Sequence, residues 1–299
     1  MRDFNGKVAF ITGGVSGIGL GIAKAFRSAG MKVAITYRRQ EHLDMALEEL
    51  RSQEGSTVHA LRLDVTDRRA VKAAAEETER VFGDIHVLCN NAGVNLLGPM
   101  EEATYDDWDW MLGVNLGGVI NVLMEFLPKL LRHGNGGHVL NVASMASFIA
   151  GTRYGVYATS KFAVRGLTES LRYSLARHGI GVSLLCPGLT KSRIYEAPLH
   201  RPEHLSNSGV HVDEAFTRRL AEVHAVGMDA DEVGRRALSG MLRNDLYIFS
   251  HPEFRDEVRE LGEAVLQSFP DEEPDPQRMT YERTRIQAKD EAKRLADAI

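Results

Sequence analysis

Residues 8–19 read Val8-Ala-Phe-Ile-Thr-Gly-Gly-Val-Ser-Gly-Ile-Gly19 and join an apolar run of strand length to the helical pattern of residues 20–28. In such a loop the glycines let the backbone turn sharply and approach a pyrophosphate, while the following helix points free N–H groups at the anion. A glycine loop alone is weak evidence, because glycines also serve ordinary strand-to-helix turns. Its position directly after the first apolar run predicts a dinucleotide-binding strand-helix-strand unit.

Further apolar runs of strand length recur along the chain, and helical patterns separate them. With the first, they lie at residues 8–11, 32–36, 58–63, 85–88, 138–142 and 181–186, and a seventh at 246–250 follows the helical pattern of 229–243. Several runs are continuously apolar, as strands covered on both faces must be, and the spacers can hold right-handed crossover helices. The sequence therefore predicts an α/β fold, a Rossmann-like doubly wound parallel sheet of about seven strands with helices on both faces.

The chain is expected to divide near residue 250. Residues 1–250 would form the dinucleotide-binding and catalytic domain, and residues 251–299, which are rich in charge, a helical C-terminal extension packed loosely on the core or on a partner subunit. Within the first part, residues 194–226 collect Pro198, Pro202 and Gly209 and have no role in the sheet. This segment is predicted to be a mobile lid over the substrate.

The composition is that of a soluble globular protein, with 43% hydrophobic and 26% charged residues among 299. The net charge of -5 comes from interspersed acidic and basic residues, so we expect binding neither to nucleic acid nor to a membrane. Polar residues interrupt the apolar stretch 111–131, which is predicted to be a buried helix rather than a membrane span. The N-terminal residues do not predict a secretion signal, and two isolated cysteines, Cys89 and Cys186, fit reduced thiols in a cytoplasmic protein.

The glycine loop resembles the T-G-x-x-x-G-[IL]-G loop of the short-chain dehydrogenase/reductase family rather than G-x-G-x-x-G. The resemblance spans residue 7 to about 195: Asp64-Val65 is similar to the family's adenine contact, Asn90-Asn-Ala-Gly93 to its N-N-A-G turn, and Pro187-Gly-Leu-Thr-Lys-Ser192 to its nicotinamide-contacting P-G-x-x-x-T segment. The cofactor-binding residues that it implies are Gly13, Ser16, Gly17, Ile18, Gly19, Tyr37, Arg38, Arg39, Asp64, Val65, Asn91, Ala92, Gly93, Tyr157, Lys161, Pro187, Gly188, Leu189, Thr190 and Ser192.

Tyr157 and Lys161 begin a helical pattern and stand four residues apart on one face. A phenol with a reference pKa of about 10 is a poor base at neutral pH, and a nearby ammonium favours its phenolate, which suits general acid/base catalysis. The spacing alone is common in helices. The resemblance adds Ser144, at the family's spacing before Tyr157, as the hydroxyl that orients the substrate oxygen, with Ser147 as its rival, and Asn115 as the support of a water chain to the lysine.

The residues after the second apolar run favour NADP over NAD. An acidic residue there would accept hydrogen bonds from the ribose 2′-OH of NAD, whereas an arginine suits the 2′-phosphate of NADP. Tyr37 occupies that position, and Arg38, followed by Arg39, can pair bidentately with a phosphate. Two solvated arginines opening a helix are the alternative, and neither Val15 nor Ser16 supplies the basic residue that some NADP-dependent relatives carry. NAD is the alternative cofactor.

The resemblance implies an oxidoreductase that interconverts a secondary alcohol and a ketone as a homodimer or homotetramer. Residues 105–110, 179–183 and 251–255 are similar to bacterial dehydrogenases of the benzylic alcohol in lignin-derived aryl ethers, which favours a bulky aromatic or hydrophobic alcohol or ketone as substrate. A steroid-like or acyl-chain substrate is the alternative.

Two other function classes share parts of this pattern. A dinucleotide-binding module without chemistry is disfavoured by the complete catalytic set, and a methyltransferase would have no use for the Tyr-x-x-x-Lys pair. His200, His204 and His211 lack a completing cysteine or carboxylate pair, and Pro202 argues against a regular helix there, so no metal site is predicted.

Overall fold

The structure is a computed structural model that describes residues 3–51 and 57–299. In these ranges seven parallel strands form one sheet in the order β3-β2-β1-β4-β5-β6-β7. The strands are β1 Val8–Ile11, β2 Lys32–Tyr37, β3 Val58–Arg62, β4 Val87–Asn90, β5 Gly137–Val142, β6 Ile180–Cys186 and β7 Tyr247–Phe249. The predicted doubly wound parallel sheet is confirmed.

Helices cover both faces of this sheet, and two more follow β7. They are α1 Gly17–Ser28, α2 Gln40–Arg51, α3 Arg68–Phe82, α4 Tyr105–Leu112, α5 Gly118–Arg132, α6 Gly155–Ala176, α7 Glu214–Ala225, α8 Ala230–Leu242, α9 Arg255–Gln267 and α10 Pro276–Asp297. A π-helical turn, Gly113–Gly117, joins α4 to α5. The predicted helical extension is therefore present as α9 and α10.

The direction in which the chain adds strands to the sheet reverses between β1 and β4. From β1 the chain moves outward to β2 and β3, then returns to β4 and continues to the opposite edge. Ile11 and Cys89 are paired at the carboxyl ends of the two central strands. Ligands of doubly wound sheets bind in the crevice at such a reversal, so the glycine loop after β1 lies where a dinucleotide would.

Apolar cores lie on each side of the sheet. One joins the sheet to the helices α3 to α6, where the rings of Phe10 and Phe126 are 4.2 Å apart, and the other joins it to α1, α2 and α8. Helices α1 and α8 approach closely at Gly21 and Gly234: a Cβ on Gly21 would lie 2.1 Å from the carbonyl oxygen of Ala230. This contact holds α1, and with it the glycine loop, in a fixed position.

The strand boundaries match the predicted runs to within one residue except at β4, which lies two residues further along the chain. The predicted run ends at Leu88, before the polar Asn90. In the structure Asn90 stays in the strand because its side-chain amide donates to Asn141 Oδ1 at 2.8 Å inside the sheet. A buried polar partner thus extends the strand beyond its apolar pattern.

The stretch 111–131 forms one continuous helix with its neighbours from Tyr105 to Arg132. By length and composition alone this 28-residue helix could cross a membrane, since its most apolar window has a mean hydropathy of 1.5. The core helix of a soluble protein meets the same criterion. Half of the window is buried, with Met111, Val122 and Phe126 in the core beneath the sheet, as the prediction of a buried helix requires.

The C-terminal extension is attached to the core at its far end. The guanidinium of Arg172 on α6 lies 3.3 Å from the carboxylate of Asp297, and Asn244 donates to the carbonyl of Ala296 at 2.7 Å. Ala296 is buried. Both helices of the extension carry exposed apolar side chains, among them Leu266 on α9 and Tyr281 on α10. The division of the chain at residue 250 stays a prediction.

Candidate active site

The glycine loop is held by hydrogen bonds to neighbouring strand ends. Gly13, with φ +64°, donates its N–H to Thr36 Oγ1 at 3.0 Å. Thr12 Oγ1 accepts from the backbone N–H groups of Asn91 and Ala92 at 2.9 and 3.0 Å, and the Asn91 amide donates back to the carbonyl of Thr12 at 2.9 Å. The turns after β1 and β4 therefore form one unit, in which Thr12 and Thr36 have positioning roles that the sequence did not reveal.

A cavity of about 450 Å³ opens along the carboxyl ends of the strands. All twenty residues that the family resemblance assigns to the cofactor line it. Of the four predicted catalytic residues, Ser144, Tyr157 and Lys161 also line it, and Asn115 lies behind it. The structure thus brings together the turns that follow six strands and the first two turns of α6.

Tyr157 and Lys161 lie in the first two turns of α6, on the face toward the cavity. The Lys161 ammonium is 5.5 Å from the centre of the Tyr157 ring and donates to the carbonyl of Val142 at 3.2 Å. Burial raises the pKa of Tyr157 to about 12, and the hydrogen bond with Ser144 opposes this less strongly. Burial also lowers the pKa of Lys161 to about 8. Burial therefore favours the neutral phenol in this cavity.

The two candidate hydroxyls of the turn after β5 have different surroundings. Ser144 begins a short 3₁₀ helix, accepts from the N–H of Ala146 at 3.1 Å and lines the cavity. Ser147 is fully buried, and its hydroxyl accepts from the N–H of Ser144 at 3.4 Å. The geometry therefore favours Ser144 over Ser147 as a group that could contact a substrate.

Asn115 lies in the π-helical turn and is buried. Its amide oxygen accepts from the N–H of Val94 at 2.8 Å, and its amide nitrogen donates to the Val94 carbonyl and to Ser160 Oγ, both at 3.0 Å. These contacts fix the backbone that follows Gly93. A Cβ on Gly93 would lie 3.3 Å from Asn115 Oδ1 and 3.6 Å from Lys161 Nζ, so this asparagine and the lysine both lie close to that glycine.

The turn after β6 is hydrogen-bonded to a histidine that lies beyond the predicted catalytic domain. His251 accepts from the N–H of Gly188 through Nδ1 at 3.0 Å and donates from Nε2 to the carbonyl of Leu189 at 2.8 Å. This pattern requires the neutral imidazole with its proton on Nε2. His224 of α7 contacts the carbonyl of Thr190 at 2.9 Å through Nδ1 and lines the cavity. No sequence pattern assigned either histidine to this turn, although His251 lies in the stretch 251–255 that the resemblance singles out.

The far end of the cavity is rich in charged side chains. Arg38 is half exposed, and its guanidinium lies 3.6 Å from the carboxylate of Asp64. Arg39 donates to His42 Nε2 at 2.5 Å and to His200. Burial and the charge of Arg39 lower the pKa of both histidines. This end of the crevice therefore has the character of an anion site.

The predicted lid, residues 194–226, contains the 3₁₀ helices Ile194–His200 and Glu203–Leu205 and then α7. Its middle is tied to α4 through Asp107, which is fully buried and forms an ion pair with Arg201. Burial opposes ionisation of Asp107, but hydrogen bonds from Thr104, Arg201, Ser208 and Gly209 hold its pKa below the usual value. The sequence did not reveal this ion pair, and the mobility of the lid stays a prediction.

Comparisons with known proteins agree with this geometry. The model of the short chain dehydrogenase family matches residues 7–201. The C alpha-dehydrogenase of Sphingobium sp. strain SYK-6 is 40% identical over 278 residues, which cover 93% of this chain and 91% of that protein. The solved structure of LigO from the same strain is 40% identical with a TM-score of 0.77, covering 97% of this chain and 98% of that one.

A short chain dehydrogenase/reductase from Burkholderia phymatum, solved in complex with NAD, has the same fold. It is 33% identical with a TM-score of 0.83, and the match covers 92% of this chain and 99% of that one. The similarity thus extends over the sheet, the lid and most of the C-terminal helices.

Proposed function

Since this chain belongs to the short-chain dehydrogenase family and is an NAD(P)-dependent oxidoreductase acting on CH–OH groups, we propose that it transfers a hydride between NADP(H) and a bulky aromatic or hydrophobic secondary alcohol or its ketone. One observation carries the proposal: Ser144, Tyr157 and Lys161 line the same cavity as the glycine loop and the turn after β6. Side chains suited to moving a proton therefore face the crevice suited to a dinucleotide.

The glycine loop fits a pyrophosphate. A Cβ on Gly19 would lie 2.2 Å from the carbonyl oxygen of Gly13, and one on Gly17 would lie 3.0 Å from Ser192 Cβ, so the cradle depends on the missing side chains. The first turn of α1, residues 17–20, is uncharged and leaves the positive end of the helix dipole available to an anion. When bound, the nicotinamide of the dinucleotide supplies the hydride chemistry.

The protein's part in the reaction is to move and stabilise a proton. With a pKa raised to about 12, the Tyr157 hydroxyl carries its proton and can donate it to a ketone oxygen; in the oxidative direction its phenolate accepts the alcohol proton. Ser144 donates a hydrogen bond to the same oxygen as charge develops there. Lys161, with a pKa of about 8, is protonated at neutral pH, and its charge stabilises the phenolate.

The substrate class is supported by the relatives and by the walls of the cavity. A protein named C alpha-dehydrogenase is 40% identical, and Val94, Leu189, Ile194 and Ala197 give the cavity apolar walls. We expect 1-arylalkanols with a second ring to be oxidised with a higher kcat/KM than aliphatic secondary alcohols of equal polarity. A panel of both classes, with steroid and acyl-chain substrates included, measures this. Higher kcat/KM for a steroid or acyl-chain substrate would contradict the aromatic class.

The proposed cofactor preference is tested with purified dinucleotides. Hydrogen bonds to charged groups contribute about 1.5–3 kcal/mol, so we expect kcat/KM with NADP to exceed that with NAD roughly tenfold to a hundredfold, and Arg38→Ala to remove most of this difference. Arg80→Ala, which removes an exposed charge on α3, is the matched control. Equal or better efficiency of the wild-type enzyme with NAD would exclude the preference.

We also propose that the enzyme is a cytoplasmic homodimer or homotetramer. On α5, Ile120 and Met124 are exposed, as is Phe162 on α6, and apolar patches of this kind mark interaction surfaces. Cys89 and Cys186 are buried free thiols, in keeping with a reducing compartment. Size-exclusion chromatography with light scattering measures the assembly, and the mass of a single chain would contradict it.

A further inference from the structure

The anion site at the far end of the cavity is built partly by the predicted lid. Arg39 follows β2 and His42 lies on α2, but Glu196 and His200 belong to the 3₁₀ helix Ile194–His200. All four line the cavity. Arg39, Arg38 and His200 also line a smaller adjoining cavity. The lid is therefore in direct contact with the residues proposed to recognise the cofactor's adenosine ribose.

The contacts of Arg39 are unusual for a guanidinium. Arginine has five donors and no acceptor, so His42 and His200, to which it donates, must be neutral acceptors. Arg39 also lies 3.8 Å from a Glu196 oxygen and 3.6 Å from a Glu41 oxygen, too far for hydrogen bonds. Its donors therefore face imidazoles, which are weaker partners than a charged oxygen. A phosphate here would accept from Arg39 and from both histidines once these are protonated.

Unlike Arg39 and the two histidines, the carboxylate of Glu196 disfavours a bound phosphate. One of its oxygens accepts from Arg193 at 2.8 Å, while the other is buried without a hydrogen-bond partner. A buried carboxylate oxygen in this position would repel a phosphate and could accept a hydrogen bond from a ribose hydroxyl. The sequence shows no acidic residue at the end of β2, but the structure supplies one from a segment more than 150 residues later.

We propose that the lid residues His200 and Glu196 set the discrimination between NADP and NAD, with His200 favouring the 2′-phosphate and Glu196 opposing it. The inference rests on the proposed function, because it assumes that the adenosine ribose of a dinucleotide lies beside Arg39. It assigns specificity to two side chains outside the loop after β2. It also links occupation of the ribose site to the segment that covers the cavity.

Charged groups of both signs act on the two histidines. They are Arg38, Arg39, Arg193, Glu41 and Glu196, while Asp64 is paired with Arg38. Burial and the neighbouring arginines lower the pKa of both histidines. A bound phosphate dianion would favour their protonated forms. Binding of a 2′-phosphate should therefore take up protons near neutral pH, and binding of a ligand without it should not.

The test uses two ligands without nicotinamide, adenosine 2′,5′-bisphosphate and AMP, measured by titration calorimetry on the full chain. His200→Gln should weaken bisphosphate binding roughly tenfold or more, because a contact to a charged group is lost, and leave AMP binding within about twofold. Glu196→Gln should strengthen bisphosphate binding several-fold. His204→Gln and Glu203→Gln alter exposed residues of the next 3₁₀ helix and serve as matched controls that should change neither affinity.

The outcomes separate this inference from the proposed function. If wild type prefers the bisphosphate and Arg38→Ala removes the preference, but His200→Gln and Glu196→Gln leave it unchanged, the NADP preference stands and the role of the lid is overturned. If wild type binds the two ligands equally, the NADP preference is wrong, and the lid inference then requires that Glu196→Gln create a preference for the bisphosphate. Equal weakening of both ligands by His200→Gln also overturns it.

Discussion

Lys161 is a buried amine whose charge opposes folding. Its pKa is about 8 in the folded protein, against 10.5 for an exposed lysine, a difference that corresponds to about 3 kcal/mol. Because the folded pKa is the lower one, the penalty is full below pH 8 and is lost as the pH rises to 10.5. We therefore expect Lys161→Met to be inactive but more stable than wild type at neutral pH, and this advantage to shrink across that window.

Urea unfolding at a series of pH values measures the difference in free energy between Lys161→Met and wild type. Lys293→Met, at an exposed position on α10, should show no such dependence. A difference that stays constant from pH 7 to pH 10.5 would mean that Lys161 is solvated or neutralised by a partner in the folded protein.

At the level of single residues, the sequence predicted which motif residues line the cavity but not the residues that hold them in place. All the residues predicted to bind the cofactor line the cavity, and their assignment to the cofactor stays a prediction. Thr36, His251 and Arg201 act on partners 23, 63 and 94 positions away. A lone threonine, histidine or arginine has no pattern that reveals such a partner. These contacts depend on the order of the strands in space.

At the level of elements, the predicted lid is anchored in its middle by one buried ion pair. Asp107 on α4 bonds to Arg201, Ser208 and Gly209. Removing one member of a buried pair leaves the other charge unpaired and costs about 3–5 kcal/mol. We expect Asp107→Asn to lower stability by this order and to speed hydrogen exchange in residues 201–209 more than in the strands.

Hydrogen exchange resolved by mass spectrometry measures this effect by segment. Asp109→Asn alters an exposed residue of the same helix and is the control for the change in helix charge. Exchange in residues 201–209 that equals wild type, with the strands unaffected, would show that Asp107 does not hold the lid.

The strands and the crossover helices were predicted well because apolar residues recur along them in a regular pattern. Strands and crossover helices follow from runs bounded by polar turns. The π-helical turn at Gly113–Gly117 could not be predicted, since it coincides with the contacts of the Asn115 amide to Val94 and Ser160. The lid helices were also missed, because prolines and polar residues there conceal short helices that tertiary contacts stabilise.

For the whole molecule, the predicted boundary at residue 250 separates two regions that share contacts. His251 lies against the turn after β6, while α10 contacts Arg172 of α6 through Asp297, next to buried Ala296. We expect Ala296→Asp to detach α10 and lower stability by at least about 1 kcal/mol, since it buries an unpaired polar group, yet to keep catalytic turnover because this contact is remote from the cavity. Thermal unfolding and proteolysis of residues 269–276 measure this, with exposed Ala298→Asp as control.

In the proposed reaction, Tyr157 moves the proton of an alcohol dehydrogenation within this cavity. The most direct measurement is the single-turnover rate of reduced nicotinamide formation by wild type and Tyr157→Phe with a 1-arylalkanol, together with dinucleotide affinity by calorimetry. We predict a rate lower by about 10²- to 10⁴-fold in the variant. Its dinucleotide affinity should stay within a few-fold of the wild-type value, because the ring still packs. Turnover near the wild-type rate at neutral pH in Tyr157→Phe would contradict the claim.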